Sequence, residues 1–334
     1  MHGWLIVDKP LGLGSTQGVA AVKRALRDGG YAKVKVGHGG TLDPLATGVL
    51  PIALGEATKL AGRLLDGDKV YAFTIRFGAE TDTLDLEGKV VAASEVRPTL
   101  AGIEAVLPRF TGAIEQVPPV YSALKVDGVR AYDLARAGEE VVLATRSVTV
   151  HSLAILPATG RGTAAESGGG GAGPQEQSSA EKPLHHPAAP DGPPPRAGEV
   201  LEEVTLTAHV SKGTYIRSLA RDIARALGAV GHVTMLRRTK AGPFTLASAI
   251  SLDILSQAGK ARSLEHHLLP LGAGLDDIPA LPLSLDQAGA LRQGRVLVGI
   301  DALDGVTLAT LDDVPQALVE IIDGQVRVVR GFNL

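Results

Sequence analysis

The chain has 334 residues, 45% hydrophobic and 21% charged, a balance typical of globular proteins with enough apolar material for a core. It has no cysteine, so disulfides and thiolate metal sites are excluded. The net charge of −3 excludes a bulk attraction to nucleic acid and leaves any such binding to local patches. This length favours one large domain and one small one.

The first segments of the chain predict a short buried strand followed by a helix. Residues 5–7 are apolar and end at a turn rich in glycine and proline. Ser15 or Thr16 is expected to cap the helix that follows. Charges among the first nine residues argue against a signal peptide, and no later stretch approaches a membrane span. A cytoplasmic protein without membrane contact is therefore expected.

Periodicity predicts most of the middle of the chain. Residues 69–77 alternate, with Tyr71 and Phe73 on one face and Thr74 on the other, which is typical of a strand. Further elements follow from the same patterns: strands at 147–155 and 203–211, and helices at 99–107 and 215–227. The last helix carries three arginines at a four-residue spacing, the pattern of a solvated face: Arg217, Arg221 and Arg225.

Residues 157–199 depart from this pattern. They hold glycine and proline tracts, and Leu184 is their single large aliphatic residue. Such a segment cannot bury enough apolar surface to offset the entropy of ordering it. We interpret it as a disordered expansion of a hairpin tip, with no part in the chemistry.

The character of the sequence changes again near residue 280. Ser284 is predicted to cap a helix, and short alternating segments follow at 305–310, 317–322 and 325–330. The Asp323-Gly324 pair between the last two is a hairpin turn signal. The predicted organisation is a large domain over residues 1–275, interrupted by the insert, and a small β-rich domain over 280–334.

Two stretches are basic enough to form local patches. Residues 23–35 carry five cations against Asp28, and residues 212–240 carry seven against Asp222. A basic run is more often a solvated face than a binding site, so both interpretations stay open for each patch.

The densest chemical signal is the segment from His38 to Gly48. Its Gly39-Gly40 pair has neither a P-loop lysine nor a dinucleotide fingerprint beside it. Asp43 precedes Pro44, and in isolation this pair is typical of a helix N-cap with proline at the first helical position. Residues 120–125 and 211–217 each place an aromatic and a cation beside small residues, as expected where a base stacks and a phosphate is neutralised.

Five motifs along the chain belong together. They are Asp8-Lys9-Pro10, Gly39-Gly40-Thr41-Leu42-Asp43-Pro44, Gly55-Glu56-Ala57-Thr58-Lys59, Tyr121-Ser122-Ala123-Leu124-Lys125 and Ser211-Lys212-Gly213-Thr214-Tyr215-Ile216-Arg217. In this order, over about residues 3–245, they resemble the TruB family of bacterial tRNA pseudouridine synthases, which act on uridine 55 in the T loop. The resemblance implies an α+β fold, in which a mixed or antiparallel sheet forms the pseudouridine synthase catalytic domain. It also implies a small β-rich, PUA-like RNA-binding domain at the C-terminus.

The resemblance also implies roles for six residues. Asp43 corresponds to the catalytic carboxylate, and Arg217 to the arginine that pairs with it. The substrate-binding positions are His38, which enters the T loop as the base flips, Tyr71, which stacks on that base, and the pocket residues Tyr215 and Leu236. The implied partner is the T arm of tRNA, bound by a monomer, with no cofactor and no metal.

The chemistry agrees with this assignment. Pseudouridine is an isomer of uridine, so the reaction needs no electrons, group donor or metal. A carboxylate can either attack C1′ or remove a ribose proton, and both routes stay open.

Two other functions are possible from the residues alone. A nucleoside hydrolase commonly needs a second carboxylate or a carboxylate-bound metal. The cluster Asp82, Asp85 and Glu87 does not fit the EF-hand spacing, so we interpret it as a polar turn. A tRNA-folding chaperone is the other alternative. Individually, His38 is also compatible with an exposed loop, Tyr71 with plain core and Lys59 with a structural role.

Overall fold

The computed structural model describes residues 1–157 and 199–334 of the chain. The insert predicted at 157–199 lies outside the described residues except for its two ends, so its interpretation stays a prediction. Of the helices in the described ranges, none combines the length and the apolar character needed to cross a membrane.

The described residues form eighteen strands and seven α-helices. The strands are β1 (Gly3–Lys9), β2 (Val36–His38), β3 (Ala46–Leu54), β4 (Lys69–Phe77), β5 (Ala79–Thr81), β6 (Val90–Ala93), β7 (Gly112–Gln116), β8 (Lys125–Val126), β9 (Val129–Arg130), β10 (Arg146–Ile155), β11 (Glu203–Val210), β12 (Gly231–Ala241), β13 (Phe244–Thr245), β14 (Ala249–Ile250), β15 (Ala280–Pro282), β16 (Gly305–Leu311), β17 (Val314–Ile322) and β18 (Gln325–Gly331). The helices are α1 (Ser15–Asp28), α2 (Ala61–Asp66), α3 (Leu100–Val106), α4 (Ala131–Arg136), α5 (Ile216–Ala226), α6 (Leu252–Lys260) and α7 (Leu285–Arg292).

A ten-stranded mixed sheet forms the centre of the protein. Its main path runs β14-β1-β3-β12-β4-β11-β10-β7, with β2 paired to β3 and β13 to β12. The β1–β14 and β3–β12 pairs are parallel and the others are antiparallel. This sheet confirms the predicted fold class. The parallel pairing of β3 with β12 sets Ala46 opposite Leu236, which places both at the candidate site.

Strand β1 shows why the sheet is stable. Its side chains alternate between two cores: Trp4 and Ile6 pack on one side of the sheet, and Leu5 and Val7 pack on the other. Both sides are covered, so the strand is apolar throughout rather than alternating with polar residues. On the first side the Trp4 ring lies against Phe244, with ring centroids 5.4 Å apart.

A second sheet forms the C-terminal part of the chain, in the order β15-β16-β17-β18. Ser284 caps α7 as predicted, since its hydroxyl accepts a hydrogen bond from the Gln287 amide at 3.3 Å. Asp323 and Gly324 both adopt positive φ, 50° and 69°, which is the geometry of the tight hairpin turn predicted between β17 and β18.

The small sheet packs against the large one. Leu308 and Phe332 belong to the same apolar cluster as Trp4. The Gly55–Lys59 segment also contributes, because Lys59 Nζ donates to the Gly331 carbonyl at 2.8 Å and Glu56 accepts from the Asn333 amide at 2.9 Å. These contacts support the structural interpretation of Lys59.

The predicted cap of the first helix is wrong. Helix α1 begins at Ser15, and its N-cap is Gly14, which makes no side-chain capping bond. The Ser15 hydroxyl is engaged elsewhere: it accepts from the Leu42 amide at 2.7 Å and donates to the Leu42 carbonyl at 3.0 Å. A hydroxyl that satisfies both groups of a loop residue is not available to cap a helix.

Candidate active site

Asp43 lies in a turn between β2 and β3. The Ala46 amide donates to the Asp43 carbonyl at 3.0 Å, and β3 begins at Ala46. Because a strand rather than a helix follows Pro44, the helix N-cap interpretation of Asp43 is wrong. The Asp43 side chain is 44% exposed.

Two polar side chains fasten this turn from the side of β1 and α1. Ser15 holds Leu42, the residue before Asp43, by both backbone groups. Lys9 is fully buried and donates from Nζ to the Leu13 carbonyl at 2.6 Å and the Pro44 carbonyl at 3.3 Å. Burial lowers the pKa of Lys9 to about 8. The turn that carries the carboxylate is therefore held at both ends.

Arg238 fastens the same turn from β12. Its side chain is 1% exposed and donates to the carbonyls of Val49, Thr41 and Gly40, at 2.8, 3.2 and 3.2 Å. Gly48 allows the backbones of β3 and β12 to lie close together at Arg238. It has a φ of 99°, and a Cβ there would lie 2.2 Å from the Arg238 carbonyl oxygen, so a larger residue does not fit.

Arg217, at the start of α5, bridges two carboxylates. Its Nη2 lies 2.7 Å from Asp43 Oδ2, and its Nη1 lies 3.2 Å from Asp85 Oδ2. It also donates to the carbonyls of Thr83 and Tyr121, at 2.9 and 3.0 Å. The side chain is 7% exposed, so the predicted solvated helix face is wrong for Arg217. A buried arginine thus fixes the accessible carboxylate of Asp43.

Asp85 is the residue that the sequence did not identify. It is 3% exposed, and its Oδ1 accepts from Thr83 Oγ1 at 2.5 Å and from the Glu87 amide at 3.0 Å. The polar turn predicted around it is present, since Asp82 accepts from the Lys89 amide at 2.9 Å. Only the fold brings this turn beneath α5, so no local pattern marked Asp85 as the second partner of Arg217.

A cavity of about 200 Å³ opens beside the Asp43 carboxylate. Five of the six residues predicted for the site line it: Asp43, Tyr71, Tyr215, Arg217 and Leu236. Drug-sized ligands occupy larger pockets, about 300–1,000 Å³, so this cavity suits a single small planar group. Its lining combines aromatic and aliphatic side chains with the Asp43–Arg217 pair and the hydroxyl side chains of Thr41, Ser122 and Thr214.

The two tyrosines of the cavity are held differently. Tyr71 is half-buried on β4 and also packs against the core, so its core and binding interpretations are compatible. Tyr215 precedes α5, and its backbone exchanges hydrogen bonds with the Gln116 amide group at 2.8 and 3.1 Å. The Arg146 guanidinium lies 4.7 Å from the centre of the Tyr215 ring, a cation–π contact that fixes its orientation.

Ser122 contributes a buried hydroxyl to the cavity. The residue is 4% exposed, and its Oγ has no hydrogen-bond partner among the residues that the structure describes. A buried polar atom without a partner costs about 1–3 kcal/mol, so such a group is expected to meet a ligand or a water.

His38 is the one predicted residue that does not line this cavity. It ends β2, is half-buried, and accepts from the Gly40 amide through Nδ1 at 3.4 Å. Burial, with a further contribution from the Arg238 charge, lowers the pKa of His38, so its imidazole is neutral at physiological pH. The exposed-loop interpretation of His38 is wrong.

A second cavity of about 310 Å³ adjoins the first and shares Tyr71 and Tyr215 with it. Lys69, Arg146 and Arg238 line it, and none of its described lining residues is acidic. Burial lowers the pKa of Lys69 to about 8. The two cavities together provide an aromatic pocket with a carboxylate beside a positively charged pocket.

The basic patch predicted at 212–240 is largely neutralised. Five of its seven cations form ion pairs, namely Lys212 with Asp66, Arg217 with Asp43 and Asp85, Arg221 with Asp222, Arg225 with Glu80, and Arg237 with Asp8. Arg238 is buried among carbonyls, and Lys240 is exposed. The five cations of residues 23–35 are all exposed, so this patch is the better candidate for contacts with nucleic acid.

The chain matches known protein families over most of its described length. Residues 27–166 match the N-terminal domain of the TruB family pseudouridylate synthases, and residues 217–276 match the C-terminal domain of tRNA pseudouridylate synthase B. The tRNA pseudouridine synthase B of Novosphingobium aromaticivorans is 60% identical, and the alignment covers 100% of this chain and 98% of that protein. The protein of the same name from Zymomonas mobilis is 53% identical, and the alignment covers 100% of this chain and 96% of that protein.

Solved structures share the fold at low sequence identity. A chain from an H/ACA RNP bound to a substrate RNA containing 2′-deoxyuridine matches with a TM-score of 0.65 at 23% identity, covering 99% of this chain and 85% of that one. A chain from a Cbf5–Nop10–Gar1 complex matches with a TM-score of 0.64 at 22% identity, covering 99% of this chain and 84% of that one. The sequence matches establish the family, and the structural matches agree in fold: the chain belongs to the TruB family of pseudouridylate synthases.

Proposed function

We propose that this pseudouridine synthase isomerises uridine 55 in the T loop of tRNA, with Asp43 as its catalytic carboxylate. The observation that carries the proposal is the Arg217–Asp43 ion pair at the edge of a cavity sized for one base. The names of the relatives, tRNA pseudouridine synthase B, support tRNA as the substrate.

Asp43 starts the reaction in this proposal. The N1–C1′ bond breaks, the uracil turns, and C5 bonds to C1′ while the C5 proton is lost and N1 gains one. The carboxylate either attacks C1′ or removes a ribose proton, and both routes need its oxygen close to the sugar. Arg217 holds Asp43 from the buried side, so the 44% exposed carboxylate faces the cavity where the sugar enters.

The base reaches Asp43 only when it is flipped out of the loop. Extruding a base costs a few kcal/mol. Stacking on an aromatic side chain returns about 1–3 kcal/mol per base. Tyr71 is proposed to provide this stacking, while Tyr215 and Leu236 close the sides of the pocket. The cations of the adjoining cavity, Lys69 and Arg146 among them, are placed to neutralise flanking phosphates.

His38 is proposed to act outside the pocket. It lies two residues from Gly40, which lines the positively charged cavity, so it is near the path of the flanking nucleotides. A neutral imidazole can stack on bases or hydrogen-bond to them without the cost of burying a charge. This supports its entry into the T loop as the target base leaves.

The domain organisation completes the proposal. Residues 1–275, with the insert, are proposed as the catalytic domain, and residues 280–334 as a small PUA-like RNA-binding domain. We further propose that the protein acts on tRNA as a monomer in the cytoplasm. The insert is proposed to be dispensable, because Ile155 and Leu206 are already paired across β10 and β11.

The test is to incubate the protein with an unmodified tRNA transcript and to map pseudouridine along it. The expected result is full conversion of uridine 55 alone, without release of free uracil. A transcript with cytidine at position 55 serves as the control and is expected to stay unmodified. Modification at another position would contradict the site assignment, and released uracil would favour a hydrolase.

A further inference from the structure

Three side chains with metal-binding atoms meet at one end of the central sheet. Asp68 immediately precedes β4, His151 lies on β10 and His209 lies on β11. His151 Nε2 is 3.1 Å and His209 Nε2 is 3.5 Å from Asp68 Oδ2. One ligand atom from each of the three residues lies within 4.8 Å of the others. None of the three takes part in the proposed reaction.

The two histidines meet at a β-bulge. Val150 pairs with Val210 and Ser152 pairs with His209, so His151 is the extra residue on β10. At this bulge the two imidazole rings lie 4.7 Å apart.

This cluster lies on the opposite face of the sheet from the candidate active site. Val210 lines the positively charged cavity next to the site. His209 is its neighbour in the same strand, so its side chain points to the other face. The three side chains are between 37% and 45% exposed, which leaves them accessible to an ion from solvent.

We propose that Asp68, His151 and His209 bind one divalent transition-metal ion of the Zn²⁺ class. Zinc binds imidazole nitrogen and carboxylate oxygen at about 2.0–2.2 Å, so ligand atoms in a tetrahedral site lie about 3.3–3.6 Å apart. The two distances to Asp68 already fall close to this spacing. Two imidazoles favour such an ion over Ca²⁺ or Mg²⁺, which prefer oxygen ligands. Water completes the coordination.

The role of this ion is structural. It joins the turn after α2 to two neighbouring strands, β10 and β11. It also fixes the start of β4, the strand that carries Tyr71 three residues after Asp68. An ion that binds only the folded protein stabilises it and raises its Tm as the ion concentration increases.

The experiment measures Zn²⁺ binding to the full chain without an affinity tag. Equilibrium dialysis gives the number of ions bound, and the visible absorption of bound Co²⁺ reports the coordination geometry. Wild type is expected to bind one Zn²⁺ that His209→Ala and His151→Ala bind at least a hundredfold more weakly. Zn²⁺ should raise the Tm of wild type and leave that of the two variants unchanged. Metal-free variants should melt like metal-free wild type, because the histidines are exposed.

A matched control removes the two pairs of histidines that are adjacent in the sequence. A variant with alanine at His185, His186, His266 and His267 should keep the full affinity of wild type. Equal Zn²⁺ binding by wild type and His209→Ala, or loss of binding in the control variant, would overturn the proposal. Both readouts are independent of pseudouridine formation.

Discussion

Arg217 Nη2 lies 2.7 Å from Asp43 Oδ2, and this contact joins residues 174 positions apart in the chain. It links the first turn of α5 to the turn between β2 and β3. The guanidinium is buried and the carboxylate is half-exposed, so the pair orients the carboxylate and leaves it accessible. Its geometry depends on a third residue, Asp85, on the other side of the arginine.

Asp85→Asn tests this dependence. The amide keeps the shape of the side chain but removes one of the two negative charges beside the buried arginine. We expect a loss of stability of about 3 kcal/mol, the lower end for a broken buried ion pair, because Asp43 remains as a partner. We also expect at least a tenfold slower single-turnover reaction at saturating tRNA, since Arg217 loses one of the two carboxylates that fix its position.

The control for this variant is Asp222→Asn, which removes the partner of Arg221 on the same helix. It should leave the rate within a few-fold of wild type. Urea unfolding and tRNA binding are measured for both variants, below their melting temperatures. A folded Asp85→Asn protein with the wild-type rate would show that Asp85 does not position the pair.

Ser122→Ala tests the unpaired hydroxyl of the cavity. If Ser122 Oγ bonds to the bound uridine, the alanine variant loses that bond. Since a hydrogen bond contributes about 0.5–1.5 kcal/mol, kcat/KM should fall about 2- to 12-fold. The folded protein should be as stable as wild type or more stable, because no described residue loses a partner. Steady-state kinetics and urea unfolding measure the two effects. A decrease in stability with unchanged kinetics would assign the hydroxyl a structural role instead.

Much of this site was predictable from local sequence, and the remainder depended on the fold. The alternation of residues 69–77 predicted β4 with the bounds that the structure has. The motif order identified Asp43, Tyr71 and Arg217, which the structure brings to one cavity. Asp85 was not predictable, because an aspartate in a polar turn has the same local pattern whether or not an arginine lies above it.

The basic patch at residues 212–240 shows the same limit of prediction from local sequence. A count of charges over residues 212–240 cannot show which cations meet a carboxylate from another segment. The structure pairs Arg237 with Asp8 and buries Arg238 among carbonyls. Reversing the charge of Arg238 would therefore disrupt the turn that carries Asp43 as well as any contact with RNA.

Lys33→Glu combined with Lys35→Glu is the better test of electrostatic binding. Both lysines are exposed, and they precede β2, the strand that ends at His38. The double variant should bind tRNA more weakly and lower the salt dependence, with a slope of log K against log [salt] reduced by about 1–2. Lys89→Glu, an exposed lysine beside β6, is the control. An unchanged slope in the double variant would show that residues 23–35 are only a solvated face.

The lowered pKa of Lys69 predicts that the stability of the folded protein depends on pH. Burial lowers its pKa from 10.5 to about 8 in the folded protein. Below pH 8 the amine is charged in both states, and the full cost of burying the charge is present. Between pH 8 and 10.5 the unfolded chain binds more protons than the folded one, so the contribution of Lys69 to stability rises with pH.

The measurement compares wild type with Lys69→Met by urea unfolding at pH 8 and 9.5. From pH 8 to pH 9.5 the unfolding free energy of wild type should rise, relative to that of Lys69→Met, by at most about 2 kcal/mol. Lys240→Met, at an exposed lysine, is the control. A difference that stays constant for Lys69→Met would contradict the lowered pKa.

Asp43→Asn bears most directly on the proposed function. The amide keeps the size of the side chain and can still accept a hydrogen bond from Arg217, but it can neither attack C1′ nor take a ribose proton. A helix cap would tolerate asparagine about as well as aspartate. Since no helix follows Asp43, that alternative no longer accounts for the residue. Pseudouridine formation is therefore expected to fall by orders of magnitude, while folding and tRNA affinity stay close to wild type.

Filter binding measures the affinity, and single-turnover release of tritium from C5-labelled uridine measures the reaction. Asp66→Asn, at the exposed partner of Lys212, is the matched control and should react like wild type. An Asp43→Asn protein that still converts uridine at nearly the wild-type rate would refute the catalytic role, because the only group removed is the negative charge.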